Sequence, residues 1–263
     1  MLALKQGKNM GKVLETNQAK GISARPTTYS KNDDSDVPHY HETSYLTFIL
    51  QGGALAKRKL DEVDCFPGTL TFYHAGEPHQ CLHQADFTKS INFEFDPVFY
   101  KENEITEVTL GSSIKRNSDV KFTMLKIYKE LLVKDEFTDN SVEMLLLSLV
   151  ESNEILENKR PEWINKIAEL LNDKWNEEVT LKDLSMAANV HPITVSKHFT
   201  KYFSCTFGEY RRRLKVEKAL QLIRTSNLSL TEIAYECGFY DQSHFTRTFK
   251  DLTGFVPRHY EKL

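Results

Sequence analysis

The chain has 263 residues, 40% of them hydrophobic, with 34 Lys and Arg against 37 Asp and Glu for a formal net charge of −3. That length supports two domains, each with its own core. No apolar run reaches the roughly 20 residues of a membrane span, and the opening MLALKQGKNMGK lacks a signal-peptide core. The four cysteines (Cys65, Cys81, Cys205, Cys237) form no C-x-x-C pair and no disulfide framework, so the expectation is a reduced, cytoplasmic protein with no membrane partner. The charge is unevenly divided. Residues 1–160 hold 19 basic against 24 acidic side chains, and residues 161–263 hold 15 against 13. A nearly balanced C-terminal part excludes polyanion binding by bulk charge, so any such binding depends on where a few Lys and Arg sit.

From about Gly21 to Asp96 the pattern is one of short β-rich runs: Tyr45–Leu50, Ala54–Leu60, Thr69–Tyr73, His79–His83 and Thr88–Phe95. Breaks fall at Gln51-Gly52-Gly53, Pro67-Gly68 and Ala75-Gly76-Glu77-Pro78. Short strands at this spacing predict an all-β sandwich or barrel. His39 and His41 are two apart and share a strand face. Tyr45, Phe48, Phe72, His39, His41 and His79 are the inward-facing candidates for a pocket with polar, orienting contacts among apolar walls. The stretches VPHYHETSYLTFILQGG and FPGTLTFYHAGEPHQ resemble the two motifs of a cupin-type jelly roll, over about 75 residues. The resemblance implies that His79 corresponds to the third histidine of metal-binding cupins, so that His39, His41 and His79 could hold Zn, Fe, Mn or Ni. The carboxylate that usually follows the H-x-H pair is missing, since Tyr45 and Leu46 stand near its place. Pocket lining and structural hydrogen bonding remain the alternative roles, and the expectation is no metal and no cofactor.

From Ser118 to Leu156 the period becomes helical. VKFTMLKIYKELL places Val120, Met124, Ile127, Tyr128 and Leu131 on one side, and VEMLLLSLVESNEIL adds a second, very apolar helix after Thr138-Asp139-Asn140. Two such helices predict either a homodimer interface or packing back onto the β domain. The charged stretch EILENKRP, from Glu154 to Pro161, reads as a linker.

The last hundred residues contain one pattern twice. In the first copy, Val179–Phe203, Thr180 and Asp183 start a helix with Leu181, Leu184, Ala188 and Ala187 as its buried stripe. Asn189 is a left-handed turn residue, and His191-Pro192 opens the next helix. Val195 and Phe199 face inward, leaving Ile193, Ser196, Lys197, Thr200 and Lys201 outward. In the second copy, Ser229 and Glu232 form a capping box, Ile233 and Ala234 are buried, and Cys237-Gly238 makes the turn. Asp241 then starts a helix with Phe245, Phe249 and Leu252 inward and Gln242, Ser243, Thr246, Arg247 and Lys250 outward. Such side chains on a steeply held helix read base edges and grip phosphates. Between the copies, Tyr210, Leu214, Ala219, Leu222 and Ile223 give a helical strut of about 20–25 Å. It would set two recognition helices about one DNA turn (~34 Å) apart. Arg211-Arg212-Arg213 near its start suits phosphates, although a solvated face accounts equally well for at least one of them.

The string I-A-x-x-C-G-F-x-x-x-S-x-F-x-R-x-F-K-x-x-x-G-x-x-P-x-x-Y from Ile233 to Tyr260 resembles the DNA-binding domain of the AraC/XylS family of transcription regulators. Leu181, Leu184, Ala188, Pro192, Val195 and Phe199 match it in the first half. The sequence departs from the family pattern at His191, usually a small cap, and at His198, usually apolar. The resemblance implies base contacts from Ile193, Ser196, Lys197, Gln242, Ser243 and Arg247, and phosphate contacts from Lys201, Thr246 and Lys250. It implies double-stranded DNA, RNA polymerase and a small-molecule effector as partners, most readily for an activator. The expected fold is α+β in two domains: a cupin-like jelly-roll sensor over 1–116, a helical hairpin over 117–157, a linker over 158–162, and an all-α tandem helix-turn-helix domain over 163–263. A metal-dependent cupin enzyme with an unrelated helical tail is the competing reading; the expectation is that the chain is not an enzyme.

Overall fold

A computed structural model describes residues 1–19, 21–31, 37–117, 119–151 and 161–263. The chain divides into two compact units, 1–151 and 152–262. The expected linker, 154–161, falls outside the described residues except for Pro161.

The first unit begins with the strands β1 (Leu2–Leu4), β2 (Lys12–Val13), β3 (Asn17–Ala19), β4 (Ile22–Ser30), β5 (His39–His41) and β6 (Ser44–Gln51). These are followed by β7 (Ala54–Lys57), β8 (Glu62–Cys65), β9 (Leu70–Tyr73), β10 (Gln80–His83) and β11 (Phe87–Phe95). One sheet runs β2-β4-β11-β6-β9 with β3 also paired to β4; a second runs β10-β7-β8; β1 and β5 pair in parallel. The two main sheets do not close into a barrel among the described residues, so the jelly-roll expectation stands as two layers.

Alternation along β11 decides what each face of the large sheet does. Thr88, Ser90, Asn92 and Glu94 point one way and Ile91, Phe93 and Phe95 the other, all of them buried. Register carries both rows across the sheet. Tyr45 and Thr47 of β6 sit opposite Glu94 and Asn92, while Leu46 and Phe48 sit opposite Phe93 and Ile91. The polar row lines the inter-sheet side. The apolar row meets the helices α1 (Pro97–Glu102), α2 (Glu107–Arg116), α3 (Val120–Val133) and α4 (Thr138–Glu151). Phe95 packs on Phe99 of α1, and Gly111 of α2 lies so close to the Phe72 ring that a Cβ there would sit 2.9 Å from it.

Six of the expected strand limits shift, five of them by one residue. Ala54–Leu60 ends at Lys57 because Arg58 and Asp61 close a turn, and the strand expected from His79 begins at Gln80. The strand β4 is absent from the runs that alternation picks out because it carries Arg25 and Pro26. Its neighbours β3 and β2 pair with Ile22–Ala24 and Thr27–Thr28, on either side of the proline that lacks an N–H. The hairpin helices pack back on the unit: α4 packs on α2, α3 and β3, burying Val142, Leu146 and Leu149. Leu132, Val133, Phe137 and Met144 stay exposed.

The second unit consists of α5 (Glu162–Asp173), α6 (Leu181–Ala188), α7 (Pro192–Phe203), α8 (Phe207–Thr225), α9 (Leu230–Glu236), α10 (Gln242–Thr253) and α11 (Pro257–Tyr260). Capping boxes at Thr180–Asp183, Thr206–Glu209 and Ser229–Glu232 set the starts of α6, α8 and α9. The α5 residues Ile164, Ile167 and Leu171 complete the core of the first copy with Leu184, Val195 and Phe199. In α6 the expected stripe is narrower. Leu181 and Ala187 are exposed and Ser185 is buried instead, its hydroxyl donating to the Lys182 carbonyl. The eight-residue helix presents too short an arc for four apolar contacts.

The Arg25 guanidinium, 2.9 Å from Glu94 and 1% exposed, holds the buried carboxylate charged. Burial works against ionisation, but the nearby His41 ring and hydrogen bonds from Arg25 and the Gly7 N–H outweigh it and keep Glu94 below the ordinary carboxylate range. Replacing Arg25 by Met should cost about 3–5 kcal/mol by stranding this charge, and adding Glu94→Leu should restore most of the loss, as read by amide exchange of β4 and β11 in urea. Both tryptophans, Trp163 and Trp175, pack on the first-copy core. Their fluorescence in a denaturant titration should therefore report a loss of about 3–5 kcal/mol for Phe199→Ala.

Candidate functional site

The second unit carries its candidate surface on α7 and α10. The His191 ring accepts from the Ile193 N–H at 3.3 Å, so histidine does serve as the cap, with Pro192 at the first helical position. Asp241 caps α10 by accepting from the His244 N–H at 2.7 Å. The turns before the two helices use Asn189 at φ 51° and Gly238 at φ 68°, left-handed conformations that asparagine and glycine adopt at low cost. Val195 and Phe199, and Phe245 and Phe249, are buried and fix the roll of each helix about its axis.

That roll leaves Ile193, Ser196, Lys197, Thr200 and Lys201 exposed on α7. On α10 it leaves Gln242, Ser243, Arg247 and Lys250 exposed, with Thr246 half-buried. Gln242 is held by a 2.9 Å hydrogen bond from the Thr231 hydroxyl of α9. Ile193 is 68% exposed, an apolar side chain on an otherwise polar face. His198 is half-buried next to the Tyr202 ring, 6.4 Å between centroids.

The strut between them, α8, has 19 residues, about 28 Å at 1.5 Å per residue, longer than expected because its capping box begins it at Phe207. Val216 and Leu220 join its buried face. The three-arginine run is not uniform. Arg211 turns inward and donates to the carbonyls of Lys174 and Glu177 beyond the end of α5, whereas Arg212 is exposed. Lys215, further along α8, donates to the Gly238 carbonyl and ties the strut to the second turn. Those three bonds join residues 37, 34 and 23 apart, and no local spacing signals them.

In the first unit a cavity of about 40 Å³ lies between the two main sheets. One water needs about 10–15 Å³ by this measure, so the space suits about three waters. His39, His41, Tyr45 and His79 line it as expected. Phe48 and Phe72 do not; both lie on the helix-facing side of the sheet, opposite Ile91 and Leu46 in register. They belong to the core because the period of two turns them away from Tyr45 and Tyr73. Tyr29, Tyr73, Cys81 and His83 enter the lining instead.

One nitrogen from each of His39, His41 and His79 lies within 4.8 Å of the others. The Nδ1 atoms of His39 and His79 face the carbonyls of Val37 at 2.8 Å and Glu77 at 3.0 Å. A carbonyl only accepts, so each Nδ1 carries the proton and each Nε2 keeps its lone pair. Burial lowers both pKa values, that of His79 to about 3, and keeps these rings neutral. The donor set fits a divalent metal. His41 Nδ1 and Glu94 Oε1 are buried without hydrogen-bond partners and stand 3.8 Å apart. No carboxylate follows the H-x-H pair, but Glu94 of β11, some fifty residues on in the sequence, stands behind His41. His74, by contrast, is a surface residue paired with Glu107 at 2.6 Å.

Comparison with known proteins bears on the second unit. Residues 184–262 match the family model described as a helix-turn-helix domain. Similar proteins include the HTH-type transcriptional regulator GbdR of Pseudomonas aeruginosa, 28% identical over 36% of this chain and 26% of its own length. The HTH-type transcriptional activator RhaS of Salmonella paratyphi B is 31% identical over 44% of this chain and 42% of its own. The chain thus spans less than half the length of these curated relatives. Among solved structures, ToxT from Vibrio cholerae aligns over 92% of this chain and 98% of its own at 16% identity and a TM-score of 0.38. The motif residues, the two capped helix pairs and the family model agree that the C-terminal unit is a helix-turn-helix domain, and its motif resembles that of the AraC/XylS regulators.

Proposed function

We propose that this protein is a sequence-specific DNA-binding transcription regulator that acts in the cytoplasm, and that it is an activator contacting RNA polymerase at its promoters. The observation that carries the DNA reading is the doubled surface. Two helices with buried Val/Phe or Phe/Phe anchors four residues apart each expose a face of short polar and basic side chains. Isolated amphipathic helices show such a face by chance, but two in matching positions on one unit are explained most simply by one ligand with a repeating surface. Ile193, Ser196, Lys197, Gln242, Ser243 and Arg247 contact bases. Thr200, Lys201, Thr246 and Lys250 contact phosphates.

The first unit holds the effector in its inter-sheet cavity, against His39, His41, Tyr45 and His79. The exposed Leu132, Val133, Phe137 and Met144 of α3, α4 and their connection are the surface for homodimerisation. The relatives with functional names are transcription regulators, which favours this reading over an enzyme with a helical tail.

Duplexes recovered from a random pool by binding to the full chain supply the test. Arg247→Ala should cost about 1–3 kcal/mol on the recovered site and flatten the preference at one base pair. Lys250→Ala should weaken recovered and random duplexes alike and reduce the salt slope by about one. Equal losses for both variants on both kinds of DNA would refute the division into base and phosphate contacts. Failure to recover any preferred duplex would refute sequence-specific binding.

A further inference from the structure

We propose that the cavity of the first unit binds one divalent late first-row transition metal through His39, His41 and His79, and that Glu94 is the positioning residue for His41. The proposal rests on the reading of this unit as the effector-binding part of a regulator, and it names the effector as an ion of the Zn²⁺, Co²⁺ or Ni²⁺ class.

Electrostatics make the cluster costly without a cation. Two Nε2 lone pairs are fixed by the carbonyls behind them, and a third faces the same space if His41 donates from Nδ1 to Glu94. Neutral imidazoles are acceptors at Nε2, so the His39 and His79 lone pairs facing one small cavity repel one another unless a cation or donor waters lie between them. The backbone holds the arrangement in place. The His39 N–H donates to the His79 carbonyl and the His79 N–H to the His39 carbonyl, both at 2.9 Å, so two of the ligands come from one reciprocal pair. His41 follows on the same strand face. Tyr45 stacks on the His41 ring at 3.7 Å and Tyr73 on the His79 ring at 3.8 Å, which restricts their rotation.

The ligating atoms lie within 4.8 Å of one another. Two nitrogens on a tetrahedral zinc with bonds of about 2.0–2.1 Å stand roughly 3.4 Å apart, and the three rings share the difference. Imidazole nitrogen favours zinc, cobalt and nickel over magnesium or calcium, which select oxygen. A three-histidine set leaves a further position for water, and the cavity has room for it. Metal-bound histidines ordinarily donate their other ring nitrogen to a carbonyl or carboxylate, and here Val37, Glu77 and Glu94 stand in those three places. Glu94 is itself held by Arg25 and by the Gly7 N–H at 2.8 Å, so the carboxylate behind His41 does not wander.

The test uses the full chain after chelator treatment and dialysis, titrated with Co²⁺ and Zn²⁺. The expected result is one equivalent of Co²⁺ with the intense visible bands of a low-coordinate site. A zinc-dependent rise in melting temperature should accompany it. His79→Gln should weaken binding more than 100-fold and abolish that rise. Glu94→Gln, which keeps the shape of the side chain, should weaken binding 10- to 100-fold. His74→Gln, at the surface, should leave both readouts unchanged. Absence of one-to-one binding, or binding unaltered by His79→Gln, would overturn the site; unaltered binding in a folded Glu94→Gln would overturn the positioning role.

The same preparations are then compared on the recovered duplex with and without metal. An effector should change DNA affinity at least fivefold in the wild type and not in His79→Gln. Metal binding with unchanged DNA affinity would overturn the effector assignment while leaving the site. Loss of DNA binding in both forms would count against the regulator reading alone.

Discussion

Everything assigned to the surface of the second unit depends on one constraint, the roll of α7 and α10 about their own axes. A helix rotated by a single residue turns its outward face by about 100°, and every contact assignment moves with it. Val195 with Phe199, and Phe245 with Phe249, set that roll because each pair is buried at a spacing of four. The left-handed residues Asn189 and Gly238 set where each helix starts. The Thr231–Gln242 bond and the Lys215 contact to the Gly238 carbonyl then fix α10 against α9 and α8. Polar side chains on the far face are specified by subtraction, as the positions that packing leaves unused.

The first unit depends on an analogous rule with a different period. Alternation along β11 separates an apolar face, covered by helices, from a buried polar face on the inter-sheet side. Burying Thr88, Ser90, Asn92 and Glu94 in a row has a cost that no core requires, since each polar group must find a partner inside the protein. Asn92 finds Tyr29 at 2.8 Å and Glu94 finds Arg25.

How much of this was legible in the sequence follows from interaction range. Turn residues, caps and four-residue anchors act within a few positions, so both helix-turn-helix copies and nearly all their outward residues were readable from the chain alone. Arg211 was not, because it is turned inward by carbonyls 34 and 37 residues away. Phe48 and Phe72 were misassigned to the pocket because alternation tells which residues share a face but not which face looks inward. Glu94 is not legible from the chain alone either, for a different reason. A lone carboxylate on a strand carries no local signature, and its role as the partner of Arg25 and His41 exists only after β4, β5 and β11 have come together.

The central claim is that α7 and α10 read DNA as two halves of one surface joined by α8. Methylation interference on the recovered duplex tests this most directly, because it maps guanine contacts in the major groove one by one. The account predicts two clusters of interfering guanines on one face of the duplex, about one helical turn apart, with the cluster assigned to α10 lost selectively in Arg247→Ala. A single cluster, or two that fade together in that variant, would contradict it.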